Sequence, residues 1–145
     1  MRRFLGIGYF VHPLPLLAVG TLVLNDRYLK FAYPSFLTGK LSDFAGLFFF
    51  PVFLCAIWNL FWQIVTRGRK GRWITLSQGV VAVVVTDLVF AGTKLVPEIA
   101  DLYLKILNSL GFPSRVMLDP TDLMALSVSA LTLWWLEAVR ALYVL

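Results

Sequence analysis

Residues 41–65 read LSDFAGLFFFPVFLCAIWNLFWQIV, and in these twenty-five positions Asp43 is the only charged side chain. A bilayer-spanning helix needs roughly 17–25 predominantly apolar residues. The stretch is too long for a buried strand and too apolar for a helix with one wet face, so it reads as a membrane span. Pro51 lies inside it, removes one backbone donor and predicts a kink that frees the carbonyl of Leu47.

Three further runs have the same character. One covers about 4–29, or begins at Pro13 if His12-Pro13 marks a helix start, since proline suits a first turn whose N–H has no helical partner. The others cover about 73–96 and 120–143. The expected fold is all-α, a four-transmembrane-helix bundle in a single membrane domain, residues 1–145. Composition agrees. Of 145 residues, 59 % are apolar and 14 % charged, and the mean hydropathy is +0.81. Soluble domains have about 45–50 % apolar and about 25 % charged residues. A chain this short has too little interior to hide so much apolar surface, and disorder is excluded by the same figures. The single cysteine, Cys55, allows neither an internal disulfide nor a thiolate metal cluster. Pro13 and Pro15 interrupt the first apolar run, and no small-x-small cleavage site follows it, so it is not read as a cleaved signal peptide.

Residues 97–111 differ in kind. Pro97 opens the stretch, Glu98 and Asp101 sit in its first turns, and Gly111 closes it. Ile99, Leu102, Tyr103, Ile106 and Leu110 recur at helical spacing. The expectation is a short amphipathic helix at the membrane interface between spans three and four, with an ordinary connecting helix as its plainer alternative.

Charge sets the orientation. Arg67, Arg69, Lys70 and Arg72 crowd one short connection without an acid, which reads as cytoplasmic. Four spans then place both termini on that side, with Arg2, Arg3, Arg140 and the acid Glu137. The net charge of +5 is accounted for by this flanking pattern, and no nucleic-acid partner is expected. The opposite face carries the remaining seven acids mixed with Arg27, Lys30, Lys40, Lys94, Lys105 and Arg115.

Up-and-down connectivity brings the outer ends of all four spans together. Candidate ligand-binding residues are therefore Asp26, Lys30, Lys40, Asp43, Asp87, Lys94, Arg115, Asp119 and Asp122, with His12, Asn25 and Ser42 as secondary candidates. Charges near hydrocarbon are costly and usually face the bundle interior. At 100° per residue, Gly79, Ala82, Thr86, Asp87, Thr93 and Lys94 share one sector of the third span, about 140° wide. Asp122, Ala125, Ser129, Glu137 and Arg140 share a face of the fourth. Asp43, Gly46, Phe50, Leu54, Ile57 and Phe61 share a face of the second. These stripes predict a polar pocket open to the outside.

Plainer readings stand beside each residue. Asp87, about two turns inside its span, is either functional or a structural partner of Lys40 or Lys94. Asp43 and Asp122 occupy first turns, where a carboxylate caps free N–H groups. Lysines snorkel to headgroups. A lone histidine is more often structural than catalytic, and the tryptophans suit an interfacial belt. A Ser–His–Asp triad would need His12, no Cys/His metal set exists, and Thr38-Gly39-Lys40-Leu41-Ser42 lacks phosphate-loop spacing. No metal and no cofactor are expected.

Two segments resemble the VanZ-like family of small bacterial membrane proteins. Gly39-Lys40-Leu41-Ser42-Asp43-Phe44 and the apolar run after it are similar to that family's Asp-Lys-x-x-His-Phe helix opening. Gly111-Phe112-Pro113-Ser114-Arg115, followed by Asp119 and Asp122, looks like its Pro-Gly-Arg turn and following aspartate. Asp43 stands where the family has histidine, Gly39 where it has aspartate, and Leu126 where it has asparagine. The resemblance implies a bacterial inner-membrane protein linked to the cell envelope.

Lipid-headgroup binding is the leading expectation, with lysines and Arg115 meeting an anionic group. Alternatives from other classes are ion or proton movement through Asp87 with Glu137 as inner counterpart, a membrane-embedded enzyme with paired carboxylates, and a structural subunit. Membrane lipids are the expected partners, with a membrane protein or a second copy of the chain as further ones.

Overall fold

The computed structural model describes residues 8–67, 74–111 and 116–144, without side-chain detail for 143 and 144. Arg115 and most of the basic connection 67–72 lie outside the described residues. Those described are helical, with no strand among them.

Helix α1 spans Pro13–Leu24 and continues through a π-helical turn, Asn25–Leu29, into Lys30–Ala32. Helix α2 spans Phe36–Val65, α3 Leu76–Leu95 and α4 Pro97–Ser109. A 3₁₀ helix, Pro120–Ser127, leads directly into α5, Val128–Val144. Three of these are long and apolar enough to cross a bilayer: α2, α3 and the continuous stretch Pro120–Leu142. Their outward residues are large and apolar, including Ile57, Phe61, Val81, Val85, Leu88 and Leu131. So broad an exposed apolar surface needs an apolar surrounding, and together these features support a membrane protein.

Local chemistry explains the boundaries. Ser35 and Thr38 exchange hydrogen bonds as a capping box, so α2 starts five residues before 41 and carries Thr38, Gly39 and Lys40 in its opening turns. Thr75 and Gln78 form the same device at α3. Asp119 caps the 3₁₀ helix, with Pro120 in its first turn. In that tighter winding, residues three apart eclipse, which lines up the buried Asp122 and Ala125. Only Val96 separates α3 from α4. The two helices fit because Gly92 lacks a Cβ, which would lie 3.1 Å from the Ile99 side chain. Gly111, at φ +83°, follows the end of α4 in a conformation open to few other residues.

The first apolar run departs from an uninterrupted span over 4–29. The chain turns at 9–12, and His12 caps α1 by accepting the Leu14 N–H at its Nδ1, 3.3 Å. Pro13 and Pro15 have no N–H to satisfy, and the Leu16 N–H reaches the His12 carbonyl at 3.3 Å. The Phe10 ring lies against Phe49 and Phe53, whereas Asn25 reaches back to Ser42. Helix α1 therefore covers only the first half of α2, with His12 level with the middle of the bundle.

Helix α2 is central and packs against α1, α3, the 3₁₀ helix and α5. The apolar core joins Tyr9, Phe48, Val52, Cys55, Ile74, Ala82, Trp135, Leu136 and Val139. The face of α2 that the sequence aligned with Asp43 is divided. Gly46 is buried, but Phe50, Leu54, Ile57 and Phe61 are exposed. Small residues on the neighbouring face, Ser42, Ala45 and Ala56 among them, admit the other helices, and the bulky ones are left outward.

Candidate functional site

A polar network closes one end of the bundle. At its centre is Asp122, buried on the 3₁₀ helix, with a lysine on each carboxylate oxygen. Lys40 from α2 donates to Oδ1, and Lys94 from the last turn of α3 donates to Oδ2 at 2.6 Å. Lys40 also donates to Thr121 Oγ1 at 2.6 Å and to Asp119 Oδ2 at 3.3 Å. An ammonium has three N–H donors, so Lys40 is fully engaged. Lys94 makes a second ion pair with Asp43 Oδ2 at 3.2 Å. Each ammonium also lies over a ring four residues earlier in its own helix, Lys40 over Phe36 at 4.9 Å and Lys94 over Phe90 at 5.4 Å.

Beside this centre lies a second set of contacts, made by the π turn of α1. The Lys30 N–H bonds the Asn25 carbonyl five residues back, the signature of that winding. Asn25 is completely buried, and its Nδ2 donates to the Thr38 carbonyl and to Ser42 Oγ, both at 2.7 Å. Ser42 in turn donates to Asp26 Oδ1, which also receives Lys30 at 2.7 Å. The two sets meet at Ser42 and Asp43, neighbours on α2. Asn25 Oδ1 is buried without a hydrogen-bond partner among the described residues.

Burial grades across the network. The side chains of Lys40 and Asp122 are 7 % and 9 % exposed, whereas Asp26 and Asp119 are 44 % and 43 % exposed. Asp119 faces outward, and its carboxyl is held below the usual carboxylate range by the Thr121 hydroxyl and N–H and by Lys40. Tyr103, half-buried on α4, has its phenol pushed up by burial, an effect opposed by the nearby Lys94 charge. Helix α4 thus brings a phenol toward the network.

Of the residues expected at the site, Asn25, Asp26, Lys30, Lys40, Ser42, Asp43, Lys94, Asp119 and Asp122 come together. Asp87 does not join them. It accepts a hydrogen bond from Ser129 Oγ at 2.6 Å, and no ion pair to it occurs among the described residues. His12 is about 18 Å away, the length of α1, with its ring edge-on to Trp135 at 5.2 Å. Thr121, Tyr103 and the two phenylalanines were not foreseen. The Phe-x-x-x-Lys spacing at 36–40 and 90–94 was a readable signal for the rings, and Asp119-Pro120-Thr121-Asp122 was one for Thr121. Among the described residues no group of three or more His, Cys, Asp or Glu side chains is placed to hold a metal ion.

Comparison with family models, with curated proteins and with solved structures finds no match.

Proposed function

We propose that the protein is a multi-pass membrane protein whose charged end binds a polar lipid headgroup. The single observation carrying this is the network from Asp26 to Asp122. It is built by four separate elements and is graded from buried ion pairs to half-exposed groups at the end of an apolar bundle. In this reading the run ending in α1 supplies a fourth crossing, and α4 lies along the bilayer surface. Ala100 of α4 is buried, while Ile99, Leu102, Ile106 and Leu110 form an exposed apolar stripe. Glu98, Asp101 and Lys105 are exposed on the polar side. A helix of this pattern, one residue after α3, holds the Lys94 level at headgroup depth. The basic connection follows the far end of α2 and puts that end in the cytoplasm, with both termini. A bacterial inner-membrane protein acting in the cell envelope, as the VanZ-like resemblance implies, is proposed with it.

The test is native mass spectrometry of the full chain released from mild detergent. Wild type should retain a phospholipid, Asp26→Asn and Lys30→Ala should lose most of it, and Arg140→Ala at the opposite end should not. Equal retention by all four proteins would contradict headgroup binding at this end.

One observation favours a second reading, ion or proton movement. Asp87 lies well inside α3 with a serine hydroxyl as its polar contact, and intramembrane carboxylates commonly mark ion pathways. Asp87→Asn would then abolish flux in liposomes while leaving lipid retention intact.

A further inference from the structure

Resting on the headgroup reading above, we propose that the headgroup carries a primary ammonium and that it sits at the α1–α2 corner, between Asp26 and Asp43. Three features of the network point to a donor-rich cation and away from a simple anion. First, the two inner lysines are already committed. All three Lys40 donors have acceptors, and Lys94 is held between Asp122 and Asp43. An anionic group would have to break these pairs in a poorly solvated place. Second, Asp26, Asp43, Asp119 and Asp122 face only Lys30, Lys40 and Lys94 in the ion pairs of the described network. Among the described residues, four carboxylates thus share three ion-pairing cations. Third, the amide of Asn25 is oriented by its two donated bonds, which leaves Oδ1 as a buried acceptor lacking a donor. Asn25 touches Ser42, and Ser42 touches Asp26 and precedes Asp43, so the missing donor falls beside two of the four carboxylates that share three lysines.

A primary ammonium supplies that donor and a fourth cation for the four carboxylates, with up to three N–H donors and one charge. The corner opens to the surroundings through Asp26 and Lys30, whose side chains are 44 % and 38 % exposed. The exposed Arg27, which makes no ion pair among the described residues, leaves positive charge at the rim, suited to the phosphate of a zwitterionic lipid. A quaternary ammonium has the same charge but no N–H, so it meets the charge requirement and leaves the Asn25 acceptor unsatisfied.

The experiment uses the full chain in mild detergent with phosphatidylethanolamine, phosphatidylcholine and phosphatidylglycerol of matched acyl chains, followed by native mass spectrometry. Wild type should retain phosphatidylethanolamine at least about tenfold more strongly than either other lipid, the effect of one charge-assisted hydrogen bond. Asp43→Asn should abolish that preference. Asp26→Asn, at a half-exposed position, should also abolish it. Equal or stronger retention of phosphatidylglycerol or phosphatidylcholine would overturn the ammonium assignment and leave headgroup binding standing. Retention of none of the three would overturn both. Binding of free ethanolamine, dependent on Asp43 and without lipid retention, would uphold the ammonium chemistry and overturn the lipid as its source.

Discussion

The two ends of the bundle hold charge in different ways. At the end closed by Asp122, ion pairs join residues far apart in the chain: Lys40 with Asp122, and Lys94 with Asp43. At the other end Glu137 pairs with Arg140 on the same helix, three residues away and more than a third exposed. The first arrangement ties α2, α3 and the 3₁₀ helix to one another, and the second ties nothing across helices. Between them the bundle is joined by apolar packing around Phe48, Val52 and Trp135. Partner distance along the chain therefore separates charge that organises a site from charge that only decorates a helix.

Removing the hub should do most damage. Asp122→Ala leaves two ammonium groups without their best acceptor, and breaking a buried pair from one side costs about 3–5 kcal/mol. Thermal unfolding in detergent should show it as a large drop in Tm, partly restored when Lys40→Met is added. The apolar middle gives the control. Trp135→Ala, which empties a site where Phe48 and His12 meet the indole, should also cost about 3–5 kcal/mol. Lys40→Met should not restore any of that loss.

Smaller effects sharpen the contrast. Ser129→Ala removes one hydrogen bond to Asp87 and should cost about 1 kcal/mol, read by the same unfolding assay. Glu137→Gln should change stability by about 0–1 kcal/mol, because the pair is local to one helix and more than a third exposed. A shift as large as that of Asp122→Ala would erase the distinction between the two ends. Asp119 adds a pH signature. Its folded carboxyl is held below the ordinary value of 3.8, so its contribution is complete above that value and is lost as pH falls through the folded one. The Tm difference between wild type and Asp119→Asn should be constant through neutral pH and close only in stronger acid.

Much of this contrast was legible in the residues. Long apolar runs marked the spanning helices, and up-and-down connectivity gathered nine of the expected site residues at one end. Counting faces at 100° per residue worked on α3, where Gly79, Ala82 and Thr93 are indeed buried. It failed on α2, because a face is buried only where a neighbouring helix approaches, and Phe50, Leu54, Ile57 and Phe61 are left exposed. The π turn at Asn25–Leu29 and the 3₁₀ helix at Pro120–Ser127 break the regular count, so the placement of Asn25 and Asp122 could not be computed from it. Asp87 shared a sector with Lys94, but its serine partner comes from a different helix and depends on how the helices pack. His12 was readable as a possible helix start. Its depth was not, because that follows from where α1 meets α2.

The most direct test of the central claim is a double-mutant cycle on Lys40→Met and Asp122→Leu by thermal unfolding in detergent. A cross-helix ion pair predicts that the double variant is more stable than the two single losses added together, by at least about 1 kcal/mol. Strict additivity would mean that the two side chains do not act on each other, and the charged end would then be no more organised than the pair at Glu137 and Arg140.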